Sequence, residues 1–170
     1  MVLDGPGPQP DDPETRALGV ARYRELGRHA AEVGVEISLE MYEDTYLGTA
    51  DDAVRFLDDI GVDAVGLNPD LGNLIRGQGP VEAWAYLVER TLPRTNYWHV
   101  KNYARLEDPS RGIVLTHPTT LELGVIDYRR AVASAIEHGF SGAFVVEHYG
   151  GDGLSVGATN ERYLRSILPD

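Results

Sequence analysis

Three times along the chain an acidic residue, one variable residue and a glycine precede a β-branched or aromatic residue that opens a short apolar run. The copies are Glu32-Val33-Gly34-Val35, Asp59-Ile60-Gly61-Val62 and Glu137-His138-Gly139-Phe140. Glycine just past a helix supplies the left-handed residue that turns the chain back, so each copy predicts the end of one helix and the start of one strand. Helix starts fall between them. Asp12, with Pro13 and Glu14 behind it, predicts a helix running to about Val33 whose face is Tyr23, Leu26, Ala30 and Val33. Thr49 caps Ala50 to Ile60, Gly79-Pro80 opens a helix to about Arg90, and Asp127 caps Tyr128 to His138. A last helix is predicted from about Ala158 to Leu168. The strands are then 35–41, 64–69, 96–101 and 142–147. Strands alternating with helices at near-regular spacing predict an α/β chain built from βα units on a parallel sheet. Residues 102–126 interrupt the rhythm and read as a long loop, a length that in compact domains usually serves function.

Residues 1–12 are rich in Pro, Gly and Asp and read as a leading loop behind a strand ending in Val2 and Leu3, with room for a missing upstream segment. Residues 13–170 are expected to form the βα units of a single partial domain.

Parity along the strands separates two faces. Val35, Ile37 and Leu39 oppose Ser38 and Glu40; Val65 and Leu67 oppose Gly66, Asn68 and Asp70. Trp98 and Val100 oppose Tyr97, His99 and Lys101; Phe144 and Val146 oppose Ala143, Val145 and Glu147. Each strand thus offers an apolar face to covering helices and ends in a group able to bind a metal: Glu40, Asp70, His99 and Glu147. The C-terminal ends of parallel strands are where α/β folds bind ligands. One acid at a strand end is unremarkable, whereas four successive strands ending this way predict convergence. Three carboxylates and an imidazole gathered there are costly without a neutralising charge, which a divalent cation supplies. The chain has no cysteine, so oxygen and imidazole must hold any metal.

The order of Leu39-Glu40-Met41, Leu67-Asn68-Pro69-Asp70, Trp98-His99-Val100-Lys101-Asn102, Gly124-Val125-Ile126-Asp127 and Val145-Val146-Glu147 resembles the xylose isomerase-like TIM barrel superfamily, in particular its sugar phosphate isomerase/epimerase group. The resemblance covers nearly the whole chain and implies the C-terminal half of a (β/α)8 barrel, from its fifth strand to its eighth helix. It implies Glu40, Asp70, His99 and Glu147 as ligands of one divalent ion, Mn²⁺ or Mg²⁺ first, with Co²⁺ or Zn²⁺ as alternatives. It further implies Glu40 and Glu147 as the acid and base of a sugar isomerase or epimerase working through an enediolate, and Arg105 as a grip on substrate hydroxyls. Asn73 stands where related epimerases carry a histidine, and Tyr46 where they carry a glutamate; both departures bear on substrate and reaction.

Lys101 shares the face of His99 and is suited either to polarising a substrate oxygen or to a salt bridge with a ring carboxylate. Asn102 and Arg105, on the long loop, are expected substrate contacts together with Asn73. Tyr149-Gly150-Gly151-Asp152-Gly153 follows the last strand, where barrels place phosphate sites, although a plain turn explains it better. The expected partner is a sugar or sugar phosphate. A net charge of -12 speaks against nucleic acid and anionic membranes, and hence against the apurinic endonuclease branch of the same superfamily. No long apolar run or basic leader occurs, so a cytoplasmic location is expected. A dehydratase uses the same chemistry and stays open. Four strands leave two open sheet edges, so a truncated frame, a metal-binding half without turnover, or a half that pairs with a second copy is the other reading.

Overall fold

The computed structural model of the chain describes residues 12–169. The expected leading loop, with the strand end at Val2 and Leu3, lies outside the described residues apart from Asp12. Helix α1 spans Pro13–Glu32, and its first turn is closed by Asp12, whose carboxylate accepts from the amides of Glu14 and Thr15. Helix α2 spans Ala50–Ile60, with the Thr49 hydroxyl accepting from the Asp52 amide. Helix α5 spans Tyr128–Glu137 behind the Asp127 cap. The three helix-terminating glycines are left-handed, with φ of 69° at Gly34, 65° at Gly61 and 77° at Gly139. They are the physical cause of the three helix-to-strand returns.

The four predicted strands form at their predicted places, each shorter at its ends: β1 at Ile37–Glu40, β2 at Val65–Asn68, β3 at Tyr97–Val100 and β6 at Ala143–Val146. β1 and β2 pair in parallel with Ile37 opposite Val65 and Glu40 opposite Asn68. β3 and β6 do the same, with Tyr97 opposite Ala143 and Val100 opposite Val146. The middle seam between β2 and β3 is held differently. One backbone bridge joins Leu67 to Thr95, and the Asn96 amide donates to the Leu67 carbonyl at 3.2 Å. Side chains supply the rest. Asn68 Oδ1 accepts from the His99 amide at 2.7 Å. The Asn96 side chain lies over Gly66, where an added Cβ would sit 2.5 Å from its Cγ, and accepts from Ser38 Oγ at 2.9 Å while donating to the Ile37 carbonyl at 3.1 Å. β1 is thereby tied to β3 across β2.

The core lies between this four-stranded arc and its helices. Ile37, Leu39, Val65, Leu67, Trp98 and Val100 from the strands meet Phe56, Leu57, Leu87, Tyr128 and Val132 from the helices, all buried. The covering face of α1 differs from expectation: Val20, Gly27 and Ala30 are buried, whereas Leu26 and Val33 are exposed. Gly27 explains the shift, because the helix approaches so closely that a Cβ there would sit 2.5 Å from Val65 Cγ2 and 3.1 Å from Val62 Cγ1. Gly27→Ala is therefore expected to destabilise the chain by about 1–2 kcal/mol despite alanine's better helix propensity, because overpacking a filled interface costs more than propensity returns. Denaturant midpoints check this, and a stabilised variant refutes it.

Three other expectations are corrected. The helix predicted from Gly79-Pro80 starts only at α4, Trp84–Thr91, and its cap Ala83 makes no side-chain bond. A short helix, α3 at Leu71–Ile75, precedes it, started by Asp70. The last helix, α6, is longer than predicted, Gly153–Ile167. The stretch read as a loop is an antiparallel hairpin, β4 Asn102–Asp108 and β5 Ile113–Thr119, with Leu106 opposite Leu115. Its turn returns through Gly112 at φ 63°. Among the described residues, no helix is long and apolar enough to cross a membrane.

Candidate metal centre

Glu40 closes β1, Asp70 starts α3 two residues past β2, His99 sits in β3 and Glu147 follows β6. One ligand atom from each lies within 4.8 Å of all the others, so the four strand ends do converge. His99 Nδ1 is 3.2 Å from Glu40 Oε1, 3.6 Å from Asp70 Oδ2 and 3.7 Å from Glu147 Oε2. The backbone fixes this aim: the His99 amide is held by Asn68, and the Glu147 amide donates to the Val100 carbonyl at 3.1 Å.

Lys101 completes the cluster. Its Nζ is 2.6 Å from Glu147 Oε2 and 2.9 Å from Asp70 Oδ2, and it is 1 % exposed. The Tyr128 hydroxyl clamps its backbone, donating to the Lys101 carbonyl at 2.8 Å and accepting from its amide at 3.2 Å. Gly72 of α3 leaves room for the stem, since a Cβ there would sit 2.5 Å from Lys101 Cγ. Of the two roles open to Lys101 in the sequence, the salt bridge to ring carboxylates is the one formed here.

Charge compensation is uneven around the ring. Burial drives Asp70 up to about 6, against the opposing pull of His99 and Lys101. Burial also pushes Glu40 and Glu147 up, but the surrounding groups outweigh it: the His99 bond and the Lys101 charge for Glu40, Asp70 and the Lys101 bond for Glu147. Both carboxyls lie below the ordinary glutamate range. The neighbouring carboxylates of Asp70 and Glu40 carry the His99 imidazole up to about 9, against burial. Burial acts to lower Lys101, yet the charges of Asp70 and Glu147 raise it above its ordinary value. With imidazolium and ammonium both present, three carboxylates still leave one negative charge uncompensated. Asp70 Oδ2 is buried and, although the Lys101 ammonium is near, accepts no well-formed hydrogen bond. An all-oxygen and imidazole donor set with a spare carboxylate lone pair fits a hard divalent cation, which with a neutral imidazole would bring the cluster to neutrality.

In the metal-free chain the His99 proton is part of the fold. Its folded value of about 9 exceeds the ordinary 6.5, so its contribution is complete below pH 6.5 and disappears as pH rises through 9. Stability in chelator is expected to fall by about 3 kcal/mol across that window, with His99→Gln flattening the slope. Urea midpoints at stepped pH measure it; an equally steep profile in His99→Gln refutes it.

The other predicted site residues are engaged within the protein. Asn73 is buried at the ring's edge, its amide donating to Glu40 Oε1 at 3.0 Å and to the Met41 carbonyl at 3.2 Å. Asn102 is buried, donating to the carbonyls of Leu121 and Ile126 at 2.8 and 2.9 Å and accepting from the amides of Ile126 and Tyr103. Its amide braces the base of the hairpin. Arg105 donates to the carbonyls of Ile75, Gly77 and Gly79 and pairs with Glu107, which pins the hairpin over the 75–79 segment. The glycine cluster after β6 forms a turn into α6, with Asp152 left-handed at φ 52°. Sequence reasoning missed Asn68 and Asn96, which hold the central seam, and the Glu43–Arg76 pair beside the cluster.

Against known proteins, the sequence profile of the xylose isomerase-like TIM barrel family matches residues 1–167. The chain is similar to a solved xylose isomerase-like TIM barrel protein from Mycobacterium smegmatis in complex with magnesium, with 46% identity and a TM-score of 0.89, covering 98% of this chain and 53% of that one. It is 29% identical over 134 residues to an inosose dehydratase from Yersinia enterocolitica, covering 74% of this chain and 45% of the relative. A D-allulose 3-epimerase from Methylomonas sp. shares the fold at 19% identity and a TM-score of 0.71, over 96% of this chain and 59% of that one. The chain thus spans about half the length of these relatives.

Proposed function

Because the chain belongs to the xylose isomerase-like TIM barrel family, we propose that Glu40, Asp70, His99 and Glu147 hold one divalent cation, and that Glu40 and Glu147 move protons on a bound ketose or hydroxy-ketone. Mn²⁺ or Mg²⁺ is the proposed ion, and the product is an isomer or epimer of the sugar. The observation that carries the reading is the convergence of four ligand atoms within 4.8 Å of one another, the fully buried Asp70 carboxylate among them. When bound, the cation would polarise a substrate carbonyl and make the neighbouring C–H acidic.

The chain's own residues do the rest. Glu40 and Glu147 come from the two outermost parallel strands, so they approach the common centre from different sides. Their lowered proton affinity keeps each ionised near neutrality and able to accept a proton. Lys101 holds Glu147 in place by its 2.6 Å bond, and Asn73 holds Glu40. The similarity to an inosose dehydratase supports a second reading, in which the proton removed from carbon is followed by loss of a β-hydroxyl as water.

Calorimetric titration with Mn²⁺ and Mg²⁺, followed by NMR of candidate ketoses in D₂O, tests both readings. A single metal site and deuterium appearing at the carbon beside the carbonyl are the expected results. Exchange with inversion supports the epimerase, and a dehydrated product supports the second reading. No metal uptake together with no exchange removes both.

A further inference from the structure

Beside the ring lies a cavity of about 480 Å³ whose walls include Glu43, Arg76, Tyr103 and Tyr149. Tyr149 joins it to the candidate centre: its ring lies 3.8 Å from Lys101 Nζ, the same ammonium that holds Glu147 and Asp70. Arg76 directly follows α3, the short helix that Asp70 starts, so one rigid turn sets both groups. The Arg76 guanidinium packs 4.7 Å from the Tyr42 ring centroid, hydrogen-bonds the Tyr42 hydroxyl and lies 3.4 Å from Glu43 Oε1. Arg76 Nε and Glu43 Oε2 are buried and have no hydrogen-bond partner, so the part of the pair that meets the cavity is the rest of the guanidinium and carboxylate. Each side chain stays 27 % exposed.

Among the described residues, the cations Arg76, Lys101 and Arg105 beside this cavity are each answered by the protein. Glu43 faces Arg76, Asp70 and Glu147 face Lys101, and Arg105 is occupied by Glu107 and three carbonyls. A phosphate group there would meet no uncompensated cation and would meet the Glu43 carboxylate. A hydroxyl pair on a neutral polyol both donates and accepts, which matches an adjacent carboxylate and guanidinium, and its C–H face suits the Tyr149 ring.

We propose that Glu43 and Arg76 form a subsite for the hydroxyls of an unphosphorylated polyol or ketose and discriminate against its phosphate ester. This deepens, and rests on, the sugar reading above. The test is ligand-observed NMR on the full chain, with and without Mn²⁺, using D-fructose and myo-inositol as neutral probes and D-fructose 6-phosphate and inorganic phosphate as anionic ones. The natural chain is expected to bind at least one neutral probe about fivefold or more tightly than either anion. Glu43→Gln, which frees the Arg76 charge, is expected to shift that ratio about fivefold toward the anions, the scale of one part-exposed ion pair. Preference for the phosphate ester by the natural chain, absence of any neutral-probe signal, or an unchanged ratio in a folded Glu43→Gln chain overturns the proposal. Mn²⁺ affinity measured on the same samples separates the two claims. Intact metal binding with phosphate preference sinks the subsite alone, and lost metal binding with the neutral preference kept sinks the metal centre alone.

Discussion

Glu40→Gln, assayed at saturating Mn²⁺, is expected to slow interconversion of an epimer pair by about 10²–10⁴-fold, the usual worth of a positioned general acid or base. Saturation matters because Glu40 is both a proposed ligand and a proposed proton carrier. A residue that only held the ion would be rescued by more of it, whereas a lost base would not. The variant also has a finer signature. Glu147 remains, bonded to Lys101 at 2.6 Å, so deuterium should still exchange into the epimer whose proton faces Glu147 while the other epimer stays unlabelled. Glu147→Gln should reverse that preference. Exchange of both epimers in both variants, at the natural rate, removes the two-carboxylate mechanism and leaves the cluster as a metal site only.

What the sequence disclosed was whatever is written in local spacing. The acid-x-glycine returns set three helix ends, and strand parity then placed Glu40, Asp70, His99 and Glu147 on one side at one end. Those signals depend on neighbours within a few residues, and they survived folding. The hairpin was missed although Asp108-Pro109-Ser110-Arg111-Gly112 is a turn signal, because Leu106, Ile113 and Leu115 are all exposed and no face of the hairpin shows a buried stripe. The α1 face was misplaced because hydrophobicity marked Leu26 and Val33, whereas close packing selected Gly27, a residue with no side chain to count. Asn96 is hardest to see: its role requires Gly66, thirty residues earlier, to vacate the space it fills. Arg105, a substrate grip by the resemblance, has its donors on three carbonyls of the 75–79 segment, and no pattern in the sequence announces those acceptors.

Asp70→Asn separates what the candidate centre costs from what it does. Asp70 is fully buried, and its folded value of about 6 stands above the ordinary 3.8. A carboxyl raised in this way binds more protons folded than unfolded, so stability falls as pH rises from about 4 to 6 and stays lower above it. Asparagine keeps the size and the cap on the Asn73 amide, and Lys101 keeps its bond to Glu147. The metal-free variant at pH 8 is thus expected to be more stable than the natural chain by about 1 kcal/mol, the buried-charge penalty less the lost attraction to His99 and Lys101. Its affinity for Mn²⁺ is expected to drop at least about a hundredfold, since removing even an outer partner of a metal ligand costs 10–100-fold. Urea melts in chelator and Mn²⁺ titration read the two effects on one sample. A variant less stable without metal makes Asp70 a structural anchor, and one that binds Mn²⁺ as tightly as the natural chain takes Asp70 out of the ligand set. Gain of stability with loss of the ion is the combination expected of a carboxylate that the fold tolerates for the sake of its ligand.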